Sequence, residues 1–592
     1  MENLMESIQN KRIMILGWLI FIVPLFVCGI VMDQSDIEIE NYHIFTSPFN
    51  VDLFSIGKAR ILLFFIFLLT LQFLFLFFTN KIQLKLSVAF IFIGVYLLGI
   101  ILSTLTSEYK DIVYMGFSDR YEGVYVYFYY ILLVCFSYVL IETFVDIKVI
   151  FNYLLVSVIP VAVIGVLQAF DIFPFTSNLV KPILYFFNDS YYDGVIQNFI
   201  MNSISKHTDG FDKVSSTLFN PNYLGVYSML ATLVSVLFLF DAKNLVGKWV
   251  YSFFVSISFL LLLLSGAKTG LYIGSLIVVI MMLLKFFEKG KRSFIPAIHV
   301  VSLFLLVFLI SNTVTSGEIG EKLFHVSSES LGMNIMQDNE ASSTVIDEEK
   351  SNSNIIKSIH IQDSYTEVTD NTSLVRLVNI DGVPAIDNLT EVNELPQWSF
   401  EFIENILVLK HYRNKLYFEV NENGKIGTYG RKGILYYVPD AIEPLINGHL
   451  FTHRGYIWSI AYNLIKEKPL TGYGADTFAI YQPDDDIING ANYSHSATSL
   501  AINPHNMYIL LFFNFGIFGI LGFVGFAGSI YIAGIIQYVK VKEKRELLSL
   551  TLLPLAGLLL ASVFNDTIIG TGVVLYILLG IASVSVFKRV SY

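Results

Sequence analysis

Apolar runs of bilayer length recur along nearly the whole chain, separated by short polar breaks. A helix needs about 20 consecutive apolar residues to cross a hydrocarbon core. On that measure the pattern predicts twelve spans: 13–32, 61–79, 86–105, 123–142, 149–170, 222–240, 249–265, 270–287, 294–312, 517–538, 547–565 and 570–586. Three polar intervals are long: 33–60, 171–221 and 313–504. The last is too long for a simple connection. It opens with a Ser/Asn/Glu/Asp-rich tract, "SSESLGMNIMQDNEASSTVIDEEKSNSN", which reads as a flexible linker. Beyond it Trp398, Phe400 and Phe402 alternate, and "NKLYFEVNENGKIGTYG" (414–430) reads as a hairpin around Asn-Glu-Asn-Gly. The predicted fold class is an all-α polytopic membrane protein of about twelve transmembrane helices. A small β-rich domain is inserted between spans 9 and 10.

Past the insert, "HRGYIWSIAYNLIKEKPLTGYGADTF" (453–478) repeats apolar residues at helical spacing through Ile457, Trp458, Ala461, Leu464 and Ile465. Lys466 and Lys468 close this helix before Pro469, and Gly472 and Gly474 open a tight loop. The chain therefore divides into 1–312 (spans 1–9 with their loops), 313–452 (linker, then β-rich insert), 453–504 (a loop with an amphipathic helix) and 505–592 (a histidine-bearing helix and spans 10–12).

Basic residues set the expected orientation. One set of short loops holds Lys81, Lys85, Lys148, Lys243, Lys248, Lys285, Lys289, Lys291 and Arg292, then Lys540, Lys542, Lys544 and Arg545. The ends add Lys11, Arg12, Lys588 and Arg589. The positive-inside rule puts all of these, and both termini, in the cytoplasm. Lys11 and Arg12 precede a long run without a small-residue cleavage pattern, so a retained first helix is expected.

Composition agrees: 592 residues, 54% hydrophobic, with mean hydropathy +0.62. The net charge is −11, and residues 313–452 carry all of it, with 21 acidic and 10 basic side chains. That acid keeps an outer domain soluble and suits no polyanion. Two cysteines, Cys28 and Cys135, both in apolar runs, exclude a disulfide framework and make no metal site.

Ionisable residues are scarce inside the spans and gather at their outer ends: Arg120, Glu122, Lys268, Arg454, His505 and Asp566. A conduction path wants such groups near mid-membrane. A site at the outer surface fits this distribution better. Lys268 sits in the short hairpin "SGAKTG", where Ser265, Gly266 and Gly270 would let backbone N–H groups approach an anion. Arg454 lies on the apolar face of its helix and should point at the bundle. In "FNPNYLG", Asn220 can cap a helix with Pro221 as its first residue, leaving Asn222 and Tyr223 to line a site. By the same logic "NPHN" makes Asn503 the cap, Pro504 the first residue and His505 the second. The helix dipole would then keep the imidazole neutral, and free N–H groups beside it would receive an anion. Each of these residues also has an ordinary role, as an interface anchor, a cap or a hydrogen-bonded ring.

The stretches "FNPNYLGVY", "SGAKTG", "RGYIWSIAYNLIKEKPLTGYGADTF" and "HNMYILLFFNFGIFGILGF", in that order, resemble the O-antigen ligase and O-antigen polymerase superfamily of membrane glycosyltransferases. "SDRYEGVYVY" and "GVLQAF" resemble it too, and the acidic insert lies outside the shared core. The resemblance implies a bacterial multi-pass membrane enzyme working on the extracytoplasmic face. It implies transfer of a glycan from an undecaprenyl-diphosphate carrier to an acceptor hydroxyl on another glycan, a lipid or a protein, without metal, cofactor or nucleic acid. Carried over by residue, His505 would activate the acceptor, and Arg454, Lys268 and Arg120 would engage the diphosphate. Asn220, Asn222, Tyr223 and Asn506 would line the substrate. Lys268 stands where many members have arginine, which keeps the charge and loses bidentate geometry. The alternative is a transporter or flippase of the same lipid-linked saccharides, for which twelve spans are also common.

Overall fold

The computed structural model describes residues 2–33, 49–82, 86–117, 120–172, 174–177, 214–324, 444–448, 450–482 and 501–590, a few single positions between them, and the backbone of strands within 356–437. The linker tract and most of 178–213 and 483–500 lie outside the described residues.

Helices coincide with all twelve apolar runs. They are α1 (Glu2–Leu25), α2 (Ile56–Phe78), α3 (Phe90–Thr106), α5 (Val124–Leu140), α6 (Phe144–Ala169), α7 (Pro221–Asp241), α8 (Leu245–Leu264), α9 (Lys268–Lys289), α10 (Phe294–Val314), α14 (Met507–Lys540), α15 (Arg545–Ala561) and α16 (Ile569–Phe587). Shorter helices are α4 (Lys110–Met115), α11 (Glu318–Phe324), α12 (Leu450–Glu467) and α13 (Phe478–Tyr481). Seven helical stretches are long and apolar enough to cross a membrane, one of them, Lys268–Val314, containing both α9 and α10. Arg12–Leu25, Phe90–Thr106 and Val124–Leu140 are shorter apolar helices. The protein is thus a multi-pass, mainly helical membrane protein.

α7 and α16 are buried along their whole apolar length and form the centre of the bundle. α8 and α9 pack on α7, α5 on α16, and α3 on α14. Where α3 crosses α14, Gly99 faces Gly519, and a Cβ at Gly99 would lie 2.6 Å from the Gly519 nitrogen. Small residues let helix backbones approach closely where lipid provides no hydrophobic drive.

The first run departs from its predicted extent. α1 stops at Leu25, and Ile30–Asp33 becomes β1, antiparallel to β2 (Phe49–Asp52) with Ile30 opposite Asp52. Val27, Val51 and Leu53 bury with Leu184 and Ile196, so this apolar sequence packs against other parts of the protein. Hydropathy alone does not separate that burial from lipid contact. The second helix starts earlier than predicted, at Ile56, because Lys58 is 1% exposed and its Nζ donates to the Thr217 carbonyl at 2.8 Å.

Within the insert the strands form two antiparallel sheets. One runs β11-β10-β9-β8-β7 and the other β3-β4-β5-β6. Here β3 is Ile356–Gln362, β4 Tyr365–Asp370, β5 Leu374–Ile380, β6 Val383–Pro384, β7 Trp398–Ile403, β8 Ile406–His411, β9 Asn414–Val420, β10 Ile426–Tyr429 and β11 Leu435–Tyr437. β9 and β10 pair with Ile426 opposite Val420, as the Asn-Glu-Asn-Gly turn predicts.

Candidate functional site

The "NPHN" stretch folds differently from its predicted capping. The helix α14 starts at Met507, and its cap is Asn506, whose side chain accepts from the Tyr508 and Ile509 nitrogens. Asn503 instead closes a local turn, its Oδ1 accepting from the His505 nitrogen at 2.8 Å. His505 lies one residue outside the cap in a left-handed conformation, φ 49°. Two asparagines three residues apart can each cap, and Pro504 with the turn that Asn503 makes selects the second.

The start of α14 is not an open anion cradle. Asn506 occupies two of its N–H groups, and the Met507 N–H donates to the Ser562 and Asn565 carbonyls at 2.9 and 3.2 Å. α7 is closed in the same way, with Asn220 accepting from the Asn222 nitrogen at 2.8 Å. By contrast Ala267 at the head of α9 supplies no side-chain cap, and Lys268 is the first residue there.

Around His505 the structure gathers residues from distant parts of the chain. Its Nδ1 is 3.6 Å from Asp566 Oδ1, an electrostatic contact longer than a hydrogen bond. The Tyr223 hydroxyl donates to the same oxygen at 2.9 Å. Arg120 donates to the other carboxylate oxygen of Asp566. Arg454, from α12, donates through its guanidinium to the Phe564 carbonyl, just before Asp566. Trp458 on the same helix donates its Nε1–H to the Pro504 carbonyl at 2.8 Å. α12 therefore docks on both loops that frame the histidine, and Arg454 points at the bundle as its helix face predicted.

His505 is 43% accessible on its open side. Its pKa nevertheless falls to about 4, through burial first and then the positive charges of Arg454 and Arg120. The ring is neutral at pH 7. The helix dipole acts in the same direction, but burial and the guanidinium pair are the dominant causes. A neutral ring with its proton on Nδ1 would face the Asp566 carboxylate and leave Nε2 free to take one. Burial also weakens the proton hold of Arg454, with Tyr223 acting in the opposite sense.

Arg120 is 3% exposed and engaged by three carboxylates. Besides Asp566, its Nε donates to Asp476 at 2.9 Å and a terminal nitrogen to Glu122 at 2.5 Å. A further bond reaches the Thr567 carbonyl at 3.1 Å. The sequence expectation set this guanidinium on a diphosphate, whereas the structure turns it to protein carboxylates. One cation among three buried carboxylates leaves negative charge uncompensated. Burial pushes Glu122 up to about 7 against the pull of Arg120, with Asp476 raising it further. Asp476 is raised too, again by burial, against Arg120 and the backbone N–H groups of Phe117 and Glu122.

Asp476 was not singled out in the sequence. It sits in the loop after α12, and its Oδ2 accepts from the Phe117 nitrogen at 2.7 Å and the Glu122 nitrogen at 3.2 Å. It lies 356 residues from Arg120. The only local signal was an acid in a glycine-rich turn. Asn220 and Asn222 lie at the start of α7, and Lys268 follows the hairpin that leads into α9. A Cβ at Gly225, one turn into α7, would meet Ala267 Cβ at 2.2 Å, so the hairpin before α9 packs against the first turns of α7.

Residues 433–524 match a family model described as O-Antigen ligase. The match contains Arg454, Asp476, His505 and Asn506, and the remaining candidates fall outside it. No curated protein matches the chain. At family level, the match and the apolar helices describe an O-antigen-ligase-like membrane glycosyltransferase, for which a lipid-linked glycan donor and a glycan acceptor are implied.

Proposed function

With the O-antigen ligase segment at 433–524 as premise, we propose that the protein transfers a glycan from undecaprenyl diphosphate to an acceptor hydroxyl at the extracytoplasmic membrane face. The observation that carries this is the contact of His505 with Asp566, with Arg454 beside it. The acceptor oxygen attacks the anomeric carbon, and Nε2 of His505 takes its proton. The bond from that carbon to the phosphate oxygen breaks, and undecaprenyl diphosphate leaves. A sugar hydroxyl is a poor nucleophile, and a placed base contributes roughly 10²–10⁴-fold. Arg454 and Lys268 stabilise the charge that develops on the diphosphate. The uncapped start of α9 adds backbone N–H groups beside Lys268.

Asp566 is a positioning residue that fixes the tautomer of His505. Arg120 and Tyr223 hold Asp566 in place, so Arg120 acts through the carboxylate and not on the donor. Asn222 and Tyr223 line the acceptor side, while Asn220 and Asn506 act chiefly as caps. The acidic insert lies outside the membrane with both termini in the cytoplasm, and it is accessory to the chemistry.

The experiment is glycan transfer by purified protein from an undecaprenyl-diphosphate-linked donor. His505→Ala and Arg454→Ala are expected to lose at least about 10²-fold in rate while keeping the thermal stability of the parent. Wild-type rates in both folded variants would remove the site assignment. Movement of labelled donor across vesicles without bond formation would favour a flippase instead.

A further inference from the structure

A cavity of about 450 Å³ opens between α6, α8 and α10. Its back wall holds Ala169, Leu264, Ser311 and Thr315, all buried. Its rim holds Phe253 and Ile310, both more than half exposed. The hydroxyls of Ser311 and Thr315 on this wall are satisfied within α10. Ser311 donates its hydroxyl to the Phe308 carbonyl at 3.1 Å and Thr315 to the Ser311 carbonyl at 3.0 Å, both within α10. A wall with its hydroxyls already satisfied selects an apolar occupant.

We propose that this cavity binds the first isoprenoid units of the donor's lipid chain. The inference rests on the donor assignment made above. The position of the cavity favours that chain over an ordinary membrane lipid. Leu264 is the last residue of α8, and the hairpin that follows it carries Lys268 at the uncapped start of α9. That hairpin touches the first turns of α7 at Gly225, two residues beyond Tyr223, which bonds Asp566. At the other wall, Gln168 Oε1 accepts from the Ser216 nitrogen at 2.7 Å, joining the end of α6 to the segment that leads into Asn220. A chain seated in the cavity thus leaves its diphosphate at the Lys268 hairpin, on the side of the bundle where His505 and Arg454 meet. The volume lies within the usual range of ligand pockets, about 300–1,000 Å³, and holds part of one hydrocarbon chain.

The test uses undecaprenyl diphosphate without a glycan and full-length protein in detergent. Leu260→Trp and Ile257→Trp fill the cavity, and Ile298→Trp adds the same bulk on α10 outside it. Displacing even two buried methylene groups costs about tenfold in affinity. A loss of that size in both filling variants, with Ile298→Trp unchanged and phosphatidylglycerol a poor competitor, is the expected result. Unchanged affinity in the filling variants, or displacement by phosphatidylglycerol at equal concentration, overturns the proposal. Should the tryptophan variants unfold, a photoactivatable isoprenyl diphosphate is cross-linked to wild-type protein. Adducts on α8 and α10 support the cavity, and adducts elsewhere overturn it. Loss of transfer in His505→Ala alongside a negative cavity result leaves the donor assignment standing. Failure of wild-type protein to bind undecaprenyl diphosphate at all removes both.

Discussion

His505 does its proposed work through three neighbours of different kinds. In that proposal Asp566 sets the tautomer from 3.6 Å, and Arg454 and Arg120 add to burial in holding the ring neutral. A base must be unprotonated to act, so the acid limb of the transfer rate should rise through about pH 4 and be flat from there to neutrality. Replacing Arg454 by Gln removes one positive charge, and the His505 midpoint then moves up. Histidine titration by nuclear magnetic resonance in the two proteins reads this directly. Equal midpoints would mean that Arg454 does not sense the ring. Asp566→Asn keeps the shape and loses the fixed acceptor, so the rate should fall about 10-fold or more with KM little changed.

The buried acid near Arg120 carries a second pH dependence, this time of stability. Glu122 has a folded value near 7 against an ordinary value of 4.5. Its folded value is the higher one, so its contribution is fully present below about pH 4.5 and is lost as the pH rises through about 7. Melting temperatures measured from pH 4.5 to 8 should decline with rising pH in the wild type. The decline should flatten in Glu122→Gln. An unchanged slope would assign the pH dependence to another group.

Among the elements, the loop after α12 and the interrupted helix α14 form one unit. Gly516 breaks α14 with φ 62°. The freed backbone groups bond the loop: the Ile517 N–H donates to the Pro469 carbonyl, the Tyr473 N–H to Phe513 and the Gly474 N–H to Asn514, each at 2.9 Å. Non-helical backbone persists at such depth only where protein satisfies it. A Cβ at Gly516 would sit 2.2 Å from the Leu470 carbonyl oxygen, and its φ already disfavours any other residue. Gly516→Ala should therefore lower the melting temperature and weaken transfer together. Asp476 fastens the far end of the same loop to Phe117, Arg120 and Glu122. Removing one partner from a buried ion pair costs about 3–5 kcal/mol, so Asp476→Ala should rank among the most destabilising single changes. Stability like that of the parent would contradict the placement of Asp476.

Helices were the most legible part of the sequence, because an apolar run of bilayer length has few other uses. Less legible was what sits at their ends. Val27 to Val31 read as lipid-facing helix and is partly strand, since burial against protein and against lipid leave the same hydropathy. In "NPHN" the residue types announced a helix start, but two asparagines competed for the cap. The turn that Asn503 makes placed His505 before it. The histidine and Arg454 stood out because ionisable groups are scarce within the apolar runs and gather at their ends. Asp476 did not, because nothing around it in sequence points to Arg120.

At the scale of the whole molecule, the helix ends at 124, 169, 221, 264, 507, 561 and 569 converge on one side of the bundle. His505, Asp566, Lys268 and the apolar cavity all belong to that side. By the positive-inside rule, the charge of the loops predicts that this is the outer side. Deleting residues 325–443 while keeping α10, α11 and α12 should leave transfer from the lipid carrier intact, because every proposed site residue lies elsewhere. The most direct measurement for the whole molecule is single-turnover glycan transfer from an undecaprenyl-diphosphate donor. It compares wild type with folded His505→Ala, each at saturating donor and acceptor. A bond-forming rate lower by at least about 10²-fold, with undecaprenyl diphosphate still bound as in the wild type, is the predicted result. An unchanged rate would contradict the assignment of His505 as the base.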